Sequence, residues 1–237
     1  FEIQVLKSNM EVTVNPFSSS IQKKTTTIPG KVMDEHGKWD ENLMSAALII
    51  RYGDFVYYEG GDQDYHRDSN NNRVILDTVG PTAQAVGDVV DVASLNHHGH
   101  GVTKEFIDIL DPTVNILQGW CSDQPPDTSM ELLVKGSYQQ YQKRQNNGNM
   151  PPFIFATDVF QERLQEMGPD LAVAFASTGG HVVVRVSPGE PLSPSSSTIA
   201  KPSSYHVYVL DEHYLVKSIH GPYGVRPKKA ATRKSPT

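Results

Sequence analysis

Apolar residues fall in short runs divided by polar stretches, and the spacing within each run predicts a type of element. Residues 1–6, Phe-Glu-Ile-Gln-Val-Leu, read as an opening strand. Residues 8–42 are polar, with Ser18-Ser19-Ser20, Thr25-Thr26-Thr27 and Pro29-Gly30, and predict irregular surface structure. Residues 45–52 form a β-rich apolar run, Gly53-Asp54 is a turn signal and residues 55–59 form a second run, so a hairpin is expected. That hairpin leads into Gly60-Gly61-Asp62. After polar residues 63–73, a short helix is predicted over 77–86 with Pro81 in its first turn. Residues 89–95 are β-branched and apolar, which predicts a buried strand ending at Asn96-His97-His98-Gly99-His100-Gly101.

Thr103 is a good N-cap, and Phe106, Ile107 and Leu110 make one apolar stripe on a helix over 104–110 that stops at Asp111-Pro112. Residues 114–117 read as a strand. Thr128 or Ser129 is expected to cap a helix to about Gln139, followed by an exposed Gln-, Asn- and Gly-rich loop over 138–149. A strand over 153–157, a helix over 161–167 and strands around 171–176, 181–186, 205–210 and 214–219 complete the pattern. Residues 188–204 are a Pro/Ser-rich connector. Residues 1–225 read as one domain and 226–237, with five basic residues, as a disordered basic tail. Strand–helix–strand alternation flanked by hairpins predicts a mixed α/β sandwich.

A formal net charge of −6 gives no general attraction to nucleic acid. The single cysteine, Cys121, excludes an internal disulfide and a Cys-rich zinc knuckle, so a metal here needs His and carboxylate ligands. No apolar run approaches the roughly 20 residues that cross a bilayer. The chain opens in a strand-like stretch without an initiator Met, so the expectation is a longer native protein; localisation, cytoplasmic or exported, stays open.

Asp62 and the His97/His98/His100 group each follow an apolar strand that ends in a Gly-containing turn. Strand ends project side chains from a rigid element, and glycine lets the backbone turn tightly around a ligand. A carboxylate and imidazoles so placed suit Zn²⁺ or a similar divalent ion, and the reaction class this implies is metal-assisted hydrolysis. Gly-Gly-Asp also occurs as a plain turn, and the His run also reads as a solvated loop. Asp64 points the same way as Asp62 along an extended chain, or sits in a solvated turn. His36, His66, His206, His213 and His220 are expected in exposed or hydrogen-bonded positions, and His181 in a structural one. Tyr52, Phe55, Tyr57 and Tyr58 read as sheet packing, and Trp120 and Cys121 as buried packing.

Glu41-Asn42, Ser45, Leu48-Ile49, Tyr52-Gly53, Phe55 and Gly60-Gly61-Asp62, followed by Val90-Asp91-Val92 and Asn96-His97-His98-Gly99, resemble a known family. It is the second half of metallo-β-lactamase-fold hydrolases of the kind fused to competence-type DNA-uptake channels. The match covers about residues 42–118. The resemblance implies the second half of an αββα sandwich in which Asp62 is the metal-bridging aspartate and His98 or His97 the last histidine ligand. His98 is favoured because Gly99 follows it; His100 stands where the subgroup often has a small hydroxyl residue and is not taken as a ligand. Zinc, up to two ions per full-length chain, is the implied cofactor, and a small-molecule ester or a phosphodiester the implied substrate. The family's His-x-His-x-Asp-His motif is absent from the 237 residues, so the resemblance implies a site completed by residues upstream of this sequence. The alternative is a catalytically inactive binding or interaction module of the same fold. A nucleic-acid partner acting through the tail is a third reading, and the acidic balance counts against it.

Overall fold

The structure is a computed structural model that describes residues 1–8, 10–14, 24–28, 40–67, 74–145, 151–188 and 202–227. Three antiparallel strands open it: β1 (Glu2–Ser8), β2 (Glu11–Val14) and β3 (Lys24–Thr27). The last two lie where irregular structure was expected. They pair in register from Glu11 with Thr27 to Val14 with Lys24, and a strand at the sheet margin needs few apolar anchors. Buried Val12 and Ile28 supply them, packing with Leu43 and Leu76.

The expected hairpin forms as β4 (Ala47–Tyr52) and β5 (Phe55–Glu59), which pair antiparallel around Gly53, whose φ is 61°. A small pair, β6 (Tyr65–Arg67) and β7 (Val74–Asp77), occupies part of the stretch read as polar coil. Helix α1 (Val79–Val86) follows where a helix was expected; Asp77 Oδ1 accepts the Val79 and Gly80 amides, and left-handed Gly87 ends it.

From there the chain alternates: β8 (Val92–Ser94), a short helix Phe106–Leu110, β9 (Val114–Leu117), α2 (Asp127–Gln145), β10 (Ile154–Ala156), α3 (Gln161–Met167), α4 (Pro169–Ala172) and β11 (Phe175–Ser177). Thr103 Oγ1 accepts the Phe106 amide, the cap expected of it. Helix α2 runs past Gln139 into the stretch expected to be loop. Gln, Lys and Arg are good helix formers, and Glu131 with Lys135 adds an i,i+4 pair. The expected strand around 171–176 is split, because Pro169 opens a helical turn and only Phe175–Ser177 extends.

The nine-stranded sheet has the order β11-β10-β9-β8-β5-β4-β1-β2-β3. Strands β5, β8, β9, β10 and β11 are parallel to their neighbours in that half, and the remaining pairs are antiparallel. Successive parallel strands step in one direction, so right-handed crossovers place their helices on one face. There Ala47, Ile49, Tyr58, Ala93 and Leu95 pack against Val79, Phe106, Leu110, Met130 and Leu133. The other face carries a three-stranded antiparallel sheet, β12 (His181–Val186), β13 (Ser204–Leu210) and β14 (Val216–Gly224). Tyr205, Val207 and Val209 of β13 pack on Phe55, Val92, Val114, Ile116 and Phe155. Strands buried on both faces read as continuous apolar runs, which explains residues 89–95 and 114–117.

The architecture is mixed α/β: helices, a large mixed sheet and a small sheet in layers. Arg226, at the start of the expected tail, is held by Asp111 and Asp91; residues 228–237 and 189–201 lie outside the described residues, as does His36. No helix among the described residues is long and apolar enough to cross a membrane.

Candidate functional site

The C-terminal ends of adjacent parallel strands share one edge of a sheet, and ligands of open α/β sheets bind at that edge. Strand β5 delivers Gly60-Gly61-Asp62 there and β8 delivers Asn96 to His100, from neighbouring positions in which Tyr58 faces Ala93. The His97 amide donates to the Gly61 carbonyl at 3.0 Å, tying the two turns together.

His97 and His98 both have left-handed backbones, φ 46° and 54°, followed by Gly99 at 93°. A side chain in that conformation costs on the order of 1 kcal/mol, so two in succession persist only where the surroundings hold them. Here the Gly101 amide donates to Asn96 O and the His100 amide to His97 O. The result is a sharp corner that turns successive imidazoles outward from the sheet edge.

The two rings are held differently. His98 Nδ1 meets the Gln118 carbonyl, which accepts only, so the neutral ring is the tautomer with its proton on Nδ1 and its lone pair on Nε2. That Nε2 lies 3.8 Å from Asp62 Oδ1. His97 Nδ1 donates to Asp64 Oδ2 at 2.7 Å, and Asn42 Nδ2 donates to His97 Nε2 at 3.1 Å, so both nitrogens are engaged. The His97 and His100 ring centroids are 5.0 Å apart.

The hydrogen bond that His97 donates to Asp64, aided by the charges of Asp64, Asp62 and Asp40 and opposed by burial, raises the His97 pKa. Burial, with repulsion from His97, lowers that of His100. Because His97 binds its proton more tightly when folded, its contribution to stability is complete below its unfolded pKa and is lost as pH rises through the folded value. Asp64→Asn is therefore expected to move the His97 titration to lower pH and to remove this loss, as read by imidazole NMR and urea midpoints. An unchanged titration would mean that Asp64 does not set it.

Behind these rings, the helical turn Asn42–Met44 brings in Asn42, and Ser45 Oγ accepts the Asp62 amide at 3.2 Å. Lys7 Nζ donates to the Leu43 and Ser45 carbonyls, both at 2.8 Å, and so pins the loop that supports both Asp62 and His97. Glu59 accepts from the Gly61 amide and the Tyr57 hydroxyl. Lys7 carries no sequence signal. A register shift between Val5 and Lys7 turns it inward, leaving it 1% exposed.

Trp120, expected to be buried, is 70% exposed; it follows β9 at the same edge and meets the His98 ring edge-on. Cys121 donates to Asp123 instead of joining a core. His181 stacks on Tyr214, His220 pairs with Ser218 and His213 is exposed. A cleft of about 560 Å³, lined by Gly119, Thr157, Asp158, Gly180, His181 and Lys217 among others, opens at the same edge, where β9 and β10 end.

Donors sharing a tetrahedral zinc at normal bond lengths lie about 3.4 Å apart, so Asp62 Oδ1 and His98 Nε2 need to close by only about 0.4 Å to share one. A Nδ1–H donated to a carbonyl is also how ligating histidines are oriented. In chemistry and direction the pair suits a divalent ion, but it supplies two donors. Among the described residues no three His, Cys, Asp or Glu side chains form a group that could hold a metal. Against known proteins, no family model matches this chain, and neither a curated protein nor a solved structure matches it.

Proposed function

We propose that this chain carries part of the site of a metal-dependent hydrolase of metallo-β-lactamase type, acting on an ester or phosphodiester. The observation that carries the reading is the strained His97-His98 corner, which sets His98 Nε2 across from Asp62 Oδ1 with Nδ1 anchored on Gln118 O. Strain of this kind collects at functional sites. The layering of helices, large sheet and small sheet is compatible with half of an αββα sandwich.

In this reading Asp62 and His98 hold the ion, and the remaining ligands come from polypeptide outside this sequence. The ion, when bound, supplies Lewis acidity and a nucleophile near neutral pH. His97, with both nitrogens occupied, is a positioning residue: it holds a proton at Nδ1 against Asp64 and fixes Asn42. Asp62 remains 46% exposed on its side chain and so accessible to a ligand. The cleft at the same edge of the sheet, where β9 and β10 end, leaves room for substrate.

The test is zinc titration against a competing chelator, with hydrolysis of a chromogenic phosphodiester and ester, on the protein carrying its upstream polypeptide. Up to two ions per chain are expected. Asp62→Ala and His98→Ala should each weaken zinc binding by about 10–100-fold or more and abolish turnover, with His97→Ala less damaging to binding. Folded protein that takes up no zinc would sink the hydrolase and favour an inactive binding module of the same fold.

A further inference from the structure

At the opposite edge of the large sheet, where β9 and β10 begin, lies a cavity of about 470 Å³. Arg144 near the end of α2 and Arg226 after β14 both face it, with Tyr141, Phe153 and Tyr223 and several prolines as walls. Both guanidinium groups converge on one carboxylate. Arg226 donates to the backbone carbonyl of Asp111 and, at 2.8 Å, to its Oδ2. Arg144 Nη1 is 3.5 Å from the same Oδ2. Asp111 adopts a left-handed φ of 38°, a conformation that the bonds from Arg226 hold in place.

Asp91, the other carboxylate bonded to Arg226, is fully buried and accepts the Val56 and Arg226 amides. The pair of arginines therefore faces the cavity with one carboxylate between them. Arg144 is the looser of the two: its Nε reaches Gln140 O at 3.3 Å, its side chain is 31% exposed, and its Nη2 has no partner among the described residues. Burial and the neighbouring Arg226 make its charge costlier to hold, with Asp111 only partly offsetting them. The hydroxyls of Tyr141 and Tyr223 likewise have no hydrogen-bond partner among the described residues, and the Tyr223 ring is fixed by stacking on Tyr205 at 5.3 Å.

We propose that this cavity binds a small aromatic phosphomonoester, a nucleoside monophosphate being the class it fits. The phosphate sits on Arg144 beside Arg226, and the ring lies among Tyr141, Tyr223 and Phe153. Guanidinium forks match planar pairs of phosphate oxygens, the Tyr141 and Tyr223 hydroxyls add donors, and rigid aromatic and proline walls suit a flat body. A pocket of this volume is in the range that encloses such a ligand. The site lies at the other edge of the sheet from Asp62 and His98 and is independent of the hydrolase reading.

Calorimetric titration of the chelator-treated protein with AMP, adenosine and inorganic phosphate tests it. AMP is expected to bind at least tenfold more tightly than either of the other two. Arg144→Gln, at a partly exposed position near a helix end, and separately Tyr141→Ala should each weaken AMP by about tenfold or more while leaving the thermal midpoint close to wild type. Asp62→Ala should bind AMP as the wild type does, so loss of zinc binding and loss of this site read separately. Phosphate binding as tightly as AMP, adenosine binding as tightly as AMP, no binding of AMP, or unchanged AMP binding in both folded variants would each overturn the proposal.

Discussion

Alanine at Gly60 is expected to destabilise the fold by about 3 kcal/mol and to dislodge the histidine corner with it. A Cβ there would stand 1.9 Å from Asn96 Oδ1 and 2.7 Å from both Asn96 Cγ and the Tyr58 hydroxyl. Neither neighbour has room to give, since Asn96 and Tyr58 are both fully buried. Two opposing effects must be weighed. Gly→Ala in an ordinary backbone region stabilises by about 0.4–1 kcal/mol through the unfolded chain. Overpacking costs about 1–3 kcal/mol, and parting the buried Asn96–Tyr58 pair costs about 1–3 more. The steric and polar terms win. Asn96 is also the residue whose carbonyl accepts the Gly101 amide, so moving it loosens the turn that holds His97 and His98 left-handed. Urea unfolding should show the midpoint fall, and the His97 and His98 imidazole resonances should shift in the protein that remains folded. A variant of wild-type stability would mean that Asn96 finds another packing position.

The same neighbourhood shows which features are legible in a sequence. The hairpin β4–β5, α1, α3 and β12 are local: a two-residue Gly53-Asp54 turn, a Gly87 stop and clear periodicity specify each within a few residues. The margin strands β2 and β3 are not, because their pairing across residues 11–27 depends on the sheet beside them more than on their own apolar content. Asp62 and the histidine run stand out because each follows an apolar strand and sits beside glycine. The partners that give those histidines different roles do not: Asn42 is 55 residues from His97, and Gln118 is 20 from His98. Trp120 reads as packing for the same reason; an aromatic after a strand gives no sign that the strand ends at an open edge.

The second large effect concerns Lys7, whose burial pushes its pKa down to about 8 from an ordinary 10.5. The folded protein therefore binds fewer protons than the unfolded chain above pH 8, and stability should rise with pH there. By linkage the rise is about 1 kcal/mol between pH 8 and 9, at 1.36 kcal/mol per pKa unit. Above about pH 9 the gain is offset and then reversed, because burial raises the pKa of Tyr57, Tyr58 and Tyr205 and the folded chain keeps protons that unfolded tyrosine, with a pKa of about 10, is already releasing. The geometry accommodates deprotonation: a neutral amine still has two hydrogens for the two carbonyls, Leu43 O and Ser45 O, so the loop under Asp62 and Asn42 stays pinned. Lys7→Met behaves differently. It removes the buried charge but orphans both carbonyls at every pH, at about 1–3 kcal/mol each, and with them the anchor of the Asn42–His97 and Ser45–Asp62 hydrogen bonds. Urea midpoints should climb from pH 8 to pH 9 for the wild type and lose that climb in Lys7→Met, while the His97 ring resonances move at both. Parallel pH profiles for the two proteins would place the lysine outside the interior, and an unmoved His97 spectrum would separate Lys7 from the site it underlies.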